Sequence, residues 1–279
     1  MEVLVADRSE RGKLRFTDEQ RAWFLHQVMT QAFEDIAPGE ARETAMLTAK
    51  GRMRGYLEVV ATEDALLAHF EPELRATLPD EIRRYVFATR VVVEDVTDTM
   101  GLVLVAGEEW RERVAEAGVD GIVQPTKGLG APAGYVWVPP GEAAAAVEAL
   151  VEAGGAPASE ERLEAVRIAH GVARWGRDMD FKTIPQEAGI DAVAVHYDKG
   201  CYTGQEAMAK IHLRGKVNRH LRRIVPESAV EPGAEVAQGG AKVGVVTSAA
   251  DGRALALLKF TVEPGQRVEA GGVPAVVEG

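Results

Sequence analysis

The chain has 279 residues, 46% of them hydrophobic and 27% charged, with a formal net charge of −11. That balance excludes a disordered or fibrous polypeptide, and the length suggests two domains. The acidic excess excludes a uniform nucleic-acid coat, and one cysteine excludes both an internal disulfide and a multi-cysteine zinc site. Charged residues and glycines interrupt every apolar run, so no membrane span is expected. The first residues lack a basic head followed by an apolar stretch, which points to the cytoplasm.

Thr17 and Gln20 have capping-box spacing. Phe24, Leu25, Val28, Met29, Ala32, Phe33 and Ile36 then recur at helical intervals until Pro38-Gly39, which predicts one helix. Strands are expected at 44–49 and 53–60, joined by a turn at Lys50-Gly51. Residues 63–70 and 73–84 read as helices, 91–96 and 101–106 as strands, and 108–117 as a helix. A strand at 135–138 precedes a helix at 142–153, and Ser159 followed by Glu160 and Glu161 reads as the cap of another. Mixed elements without regular βαβ alternation favour an α+β class. After about Val217 helical periodicity vanishes, and β-rich pieces at 241–248, 254–260 and 267–277 alternate with glycine turns, as in a small barrel. The division expected is an α+β region over 1–221, made of two interleaved subdomains, and a C-terminal β-barrel over 222–279.

The chemistry concentrates in Lys199-Gly200-Cys201-Tyr202-Thr203-Gly204-Gln205-Glu206. Glycines around a lone cysteine suit an exposed, ligand-facing loop. A helix starting near Gly204 and the neighbouring Lys199 would both favour the thiolate of Cys201. The competing reading is a buried, inert thiol. Downstream, Lys210, Arg214, Lys216, Arg219, Arg222 and Arg223, with His212 and His220, form a basic island without an acid. It could receive a polyanion, such as tRNA or a folate glutamate tail, but a solvated face whose arginines pair with acids elsewhere is the simpler reading. Gly128-Leu129-Gly130 does not make a dinucleotide fingerprint, and no histidine has metal-ligand spacing.

The octapeptide from Lys199 to Glu206 resembles the signature of the YgfZ family, relatives of the glycine-cleavage T-protein (aminomethyltransferase). The resemblance extends upstream through Arg167, Gly171, Gly176, Asp178 and Ile184-Pro185-Gln186-Glu187-Ala188-Gly189. Downstream it runs through Arg214-Gly215-Lys216-Val217, Val243-Gly244-Val245-Val246-Thr247-Ser248 and Ala254-Leu255-Ala256. More weakly it covers Asp7-Arg8-Ser9 and Lys50-Gly51-Arg52. It implies a T-protein-like arrangement of two α+β subdomains and a terminal β-barrel around a central channel that binds tetrahydrofolate. The implied role is support of iron–sulfur enzymes, including tRNA-modifying ones, with Cys201 as working thiol, Lys199 beside it, and any iron–sulfur cluster contact only transient. One cysteine cannot hold a cluster by itself. Arg167, Trp175, Asp178, Glu187 and Arg214 are the candidate folate contacts.

Two departures bear on activity. On the strand after Lys50-Gly51 the T-protein carries an acid that supports one-carbon transfer; here Arg54-Gly55-Tyr56-Leu57 has none, and Glu58 lies further along, at risk of facing the wrong side. A true aminomethyltransferase is therefore not expected. Ala169 stands where the T-protein pattern carries a pterin-anchoring glutamate. The alternatives left open are a tetrahydrofolate-dependent aminomethyltransferase or demethylase, and a scaffold whose folate site has decayed.

Overall fold

A computed structural model describes residues 2–215 and 217–278, with the side chain of Arg214 also outside the description. Strands β1 (Leu4–Asp7) and β2 (Gly12–Thr17) precede helix α1 (Arg21–Val28). The hairpin β3 (Ala41–Leu47) and β4 (Met53–Ala61) leads to β5 (Leu66–Phe70), a 3-10 turn at Pro72–Leu74, α2 (Leu78–Arg83) and β6 (Val92–Asp95). Next come β7 (Gly101–Ala106), α3 (Trp110–Ala117), β8 (Ile122–Thr126), β9 (Ala133–Val138), α4 (Ala143–Glu152), β10 (Ala156–Pro157) and α5 (Glu160–His170). Short helices α6 (Pro185–Ala188) and α7 (Asp191–Ala194) precede α8 (Gln205–Arg214). The remainder is β11 (Arg219–Pro226), β12 (Glu235–Gln238), β13 (Ala241–Ala250), β14 (Arg253–Lys259), β15 (Arg267–Ala270) and β16 (Val273–Glu278).

One five-stranded sheet has the order β3-β4-β5-β2-β6, a second β10-β1-β7-β9-β8, and the last six strands close a barrel. Every pairing is antiparallel except the short β1–β10 contact, so the α+β class holds. The two sheets face one another across a shared apolar layer, in which Val60 and Leu67 meet Leu104, Tyr135 and Trp137. Helices α1 and α2 cover the outer face of the first sheet, and α3 and α4 that of the second. The barrel has its own core around Val236, Val246, Leu258 and Val277. Among the described residues no helix is long and apolar enough to cross a membrane.

The hairpin at Lys50-Gly51 forms as expected, and Gly51 at φ +76° supplies the left-handed turn residue. Ser159 caps α5 by accepting from the Arg162 amide. Four expectations fail, chiefly because tertiary contacts override local signals. The helix over 24–36 stops at Val28, because Met29 bridges to Met46 and Thr30 bonds Ala45 and Ala194; Met29, Ala32 and Phe33 are still buried. Thr17 ends β2 instead of capping α1, and the Gln20 side chain accepts from the Arg90 amide. Residues 66–70 are a strand rather than a helix: β5 lies inside its sheet and is buried along all five residues, so alternation is invisible. The 73–84 helix is reduced to the 3-10 turn and α2. Strands β1, β2, β8, β10, β11 and β12 are additional to those expected, and β1, β10 and β12 have four residues or fewer.

Candidate functional site

A cavity of about 440 Å³ opens at the junction of the two sheets, within the size range typical of small-molecule sites. Its mouth is polar, with Gln31, Asp35, Arg42, Lys127 and His196; its inner part holds Glu43, Glu58, Gln124 and Thr126. Strand pairing puts Glu43 directly opposite Glu58, so both carboxylates share one face of the hairpin. Glu43 accepts from the Tyr56 hydroxyl at 2.7 Å and from the Lys127 amide at 2.9 Å. Glu58 accepts from the Thr126 hydroxyl and lies 3.5 Å from the Arg11 guanidinium. Tyr56 and Glu58 are two residues apart and both border the inter-sheet space, as alternate strand residues must. The expectation that Glu58 turns to the opposite face therefore does not hold. The strand carries its carboxylate on the cavity side, two positions beyond Gly55-Tyr56.

Behind Glu58 lies a narrow space of about 50 Å³ lined by Arg11, Glu71, Tyr135, Trp175 and the inner face of α5. Arg11 bonds Glu71 at 2.5 Å, and Arg174 bonds the other Glu71 oxygen. Arginine partners therefore hold Glu71 below the usual carboxylate range against the opposing effect of burial. Glu58 is less well served. Burial first, and Glu43 second among the raising influences, push it up to about 7 against the pull of Arg11 and Thr126. His69 sits opposite Glu58 on β5, and burial with the nearby Arg11, Lys13 and Arg8 keeps it neutral. A buried carboxyl that exchanges its proton near neutrality beside a cavity is equipped for general acid–base chemistry.

The signature octapeptide divides into anchors and presented residues. Lys199 is buried, and its ammonium donates to the carbonyls of His26, Met29 (2.5 Å) and Gln31 (3.1 Å) at the end of α1. The ammonium also lies over the Tyr202 ring, 4.8 Å from its centroid, and burial lowers its pKa to about 8. Lys199 is thus bound to the carbonyls at and just beyond the end of α1. Tyr202 is in the core, and Gln205 donates to the Lys199 carbonyl at 3.2 Å. Gly204, the N-cap of α8 at φ +90°, lies so close to the hairpin that a Cβ would come 2.5 Å from the Thr48 carbonyl oxygen. Gly200, Cys201 and Glu206 face outward, Glu206 pairing with Lys210. Cys201 is exposed but is not among the residues lining the cavity. Gly204→Ala is expected to destabilise the protein by about 1–2 kcal/mol from the left-handed backbone alone, with the clash added. Urea denaturation measures this, and an unchanged midpoint would show that the loop does not depend on the hairpin.

The expected folate contacts lie apart from the larger cavity. Arg167 bonds Glu164 twice, Asp178 at 2.6 Å, the Val172 carbonyl at 2.9 Å and Ser248 at 2.8 Å. Asp178 also accepts from Thr247, Ser248 and the Arg174 amide. The pair fastens α5 to the barrel, and Arg167 also borders the narrow space. Glu187 does the same from α6, pairing with Arg219 of β11 at 3.0 Å. Trp175 is buried against Phe181 and borders the narrow space. Ala169 lines neither cavity. The side chain of Arg214 and all of Lys216 lie outside the described residues. In the rest of the basic island, Lys210, Arg219 and Arg223 pair with Glu206, Glu187 and Glu278, and His212 stacks on Tyr197. Glu43, Gln124, Thr126 and Arg11 were not anticipated, because they come from separate parts of the chain and meet only through strand pairing and sheet packing.

Residues 218–278 match the family described as CAF17, C-terminal beta-barrel domain. A chloroplastic protein of Arabidopsis thaliana named as a transferase is 26% identical over 271 residues, covering 90% of this chain. The chain spans only 62% of that relative's length. An aminomethyltransferase of Rubrobacter xylanophilus is 28% identical, over 87% of this chain and 70% of its own. Among solved structures, the glycine cleavage system aminomethyltransferase T of Bartonella henselae superposes with a TM-score of 0.88 over 100% of this chain and 85% of that one, at 18% identity. The chain is T-protein-like: it has the aminomethyltransferase fold, is related in sequence to aminomethyltransferases over most of its length, and ends in a barrel of the CAF17 C-terminal type.

Proposed function

We propose that the protein binds tetrahydrofolate in the inter-sheet cavity and supports iron–sulfur enzymes, tRNA-modifying ones among them, through the thiol of Cys201. The observation that carries the reading is how the thiol is held. Lys199 bonds the Gln31 carbonyl, and the Gln31 side chain lines the cavity mouth and donates to Val193 at 3.0 Å. The loop that displays Cys201 outward is therefore built on the segment that frames the cavity, which suits a protein whose thiol meets a partner while folate occupies the interior. The cavity's volume and its mixture of carboxylates with a buried amide suit a heterocycle rich in N–H groups. A cluster carried by a client would take at most one ligand from this chain.

Cys201→Ala is expected to change stability by less than about 1 kcal/mol, since an exposed loop thiol contributes little packing, while iron–sulfur-dependent activities fall in cells. Full complementation of a deletion strain by the alanine variant would remove the thiol from the function. A second reading, one-carbon transfer to or from tetrahydrofolate, is favoured by Glu58, which supplies a proton-exchanging group inside the cavity. Single-turnover formation of methylenetetrahydrofolate from an aminomethyl donor separates the two.

A further inference from the structure

Gln124 is fully buried on β8 and closes the inner end of the cavity. Its amide oxygen accepts from the Trp137 indole at 2.7 Å. An indole N–H only donates, so the amide cannot flip without setting two donors against each other. The orientation is therefore fixed, and the amide nitrogen is left without a hydrogen-bond partner among the described residues. A buried donor without a partner costs free energy and calls for an explanation.

Two residues along the same strand face, Thr126 donates to Glu58, and Glu58 stands opposite Glu43. The inner end thus offers a fixed N–H donor beside a pair of carboxyl groups. That order of groups complements a planar ring edge on which a carbonyl adjoins N–H donors. We propose that Gln124, held by Trp137, is the specificity-determining residue of the cavity: it donates to the carbonyl of a lactam edge whose N–H groups face Glu58 and Glu43. This rests on the folate reading, and the lactam is then that of the pterin. In this chain the ring would be read from the sheet junction, and Ala169 of α5, which lines neither cavity, would take no part. Trp137 is a positioning residue, acting through Gln124.

Calorimetry with tetrahydrofolate and its 4-amino analogue tests the assignment, because the analogue presents an amino donor in place of the carbonyl. The full-length protein should prefer tetrahydrofolate by at least tenfold. Gln124→Glu keeps the acceptor for Trp137 but removes the donor, and should reverse the preference. Trp137→Phe frees the amide to turn, and should bring the ratio close to one. Equal binding of both ligands by the unsubstituted protein would overturn the inference and leave folate binding intact. So would a tetrahydrofolate preference that neither substitution alters. Binding of neither ligand would overturn both readings. The unsubstituted protein decides alone if a variant fails to fold.

Discussion

Arg167→Ala is expected to lower the stability of the protein by about 3–5 kcal/mol, the cost of leaving a buried ion pair with one member. The guanidinium side chain is 2% exposed and its partner Asp178 is 0% exposed, so water cannot replace the lost contact. Glu164, only partly buried, would also lose two bonds. Thr247, Ser248 and the Arg174 amide would still donate to Asp178, which places the expected loss near the lower end of the range. Because Ser248 and Thr247 belong to β13, the same change loosens the barrel from α5. Arg167→Lys keeps the charge but lacks the planar fork that reaches Glu164, Asp178 and Ser248 together, so its loss should be intermediate. Urea unfolding of the three proteins checks the order. Folate affinity, measured where Arg167→Ala is still folded, should stay within a few-fold of the parent. A large loss of affinity with little loss of stability would return Arg167 to the ligand.

Much of the fold was readable because its signals are local. The Lys50-Gly51 turn, the Ser159 cap and the glycine-punctuated barrel strands each depend on a few neighbouring residues. The signals that misled were also local, but tertiary contact overrode them. Met29, Ala32 and Phe33 keep a helix-like spacing because they are buried, while the chain they occupy has left α1 to bridge β3. Leu66 to Phe70 read as a helix because a strand covered on both faces loses its period of two. The site was less legible for a related reason. Cys201 and its glycines stand out in one short stretch, whereas Glu43, Glu58 and Gln124 come from three strands and meet only through pairing and sheet packing. Glu58 in particular required the phase of β4: one position decides which face it takes. The resemblance drew attention to Arg167, Asp178 and Glu187, which the structure places in ion pairs, with Arg167 also bordering the narrow space behind Glu58. They join α5, α6 and the barrel, so the fold itself requires them.

Glu58→Gln should separate from the parent protein in a pH-dependent way. In the folded chain Glu58 titrates near 7, chiefly because it is buried, whereas in the unfolded chain it titrates at about 4.3. Between those values the folded state holds the extra proton, so this group's contribution to stability is complete at low pH and is lost as pH rises through 7. The charge pattern around it explains the direction. Arg11 is the nearest cation, but it bonds Glu71 at 2.5 Å and lies 3.5 Å from Glu58, so one guanidinium is shared between two carboxylates. Glu43 stands opposite, with no arginine paired to it among the described residues, and adds repulsion. Glutamine has the same shape without the charge, so the stability of Glu58→Gln relative to the parent should rise between pH 5 and pH 8 by up to about 3 kcal/mol. His26 and His220 shift in the opposite sense but are common to both proteins and distant from the substitution, so they cancel in the difference. Urea unfolding at several pH values measures it, and a difference independent of pH would mean that Arg11 keeps Glu58 ionised throughout. The same substitution bears on chemistry. If the cavity transfers a one-carbon unit, removing its proton-exchanging group should slow single turnover by about 10²–10⁴-fold and abolish any rate change centred near pH 7. A Glu58→Gln protein that is stabilised at pH 8 yet supports iron–sulfur enzymes normally would assign the carboxyl to an activity separate from that of Cys201, and would make the cavity and the thiol loop two functions of one fold.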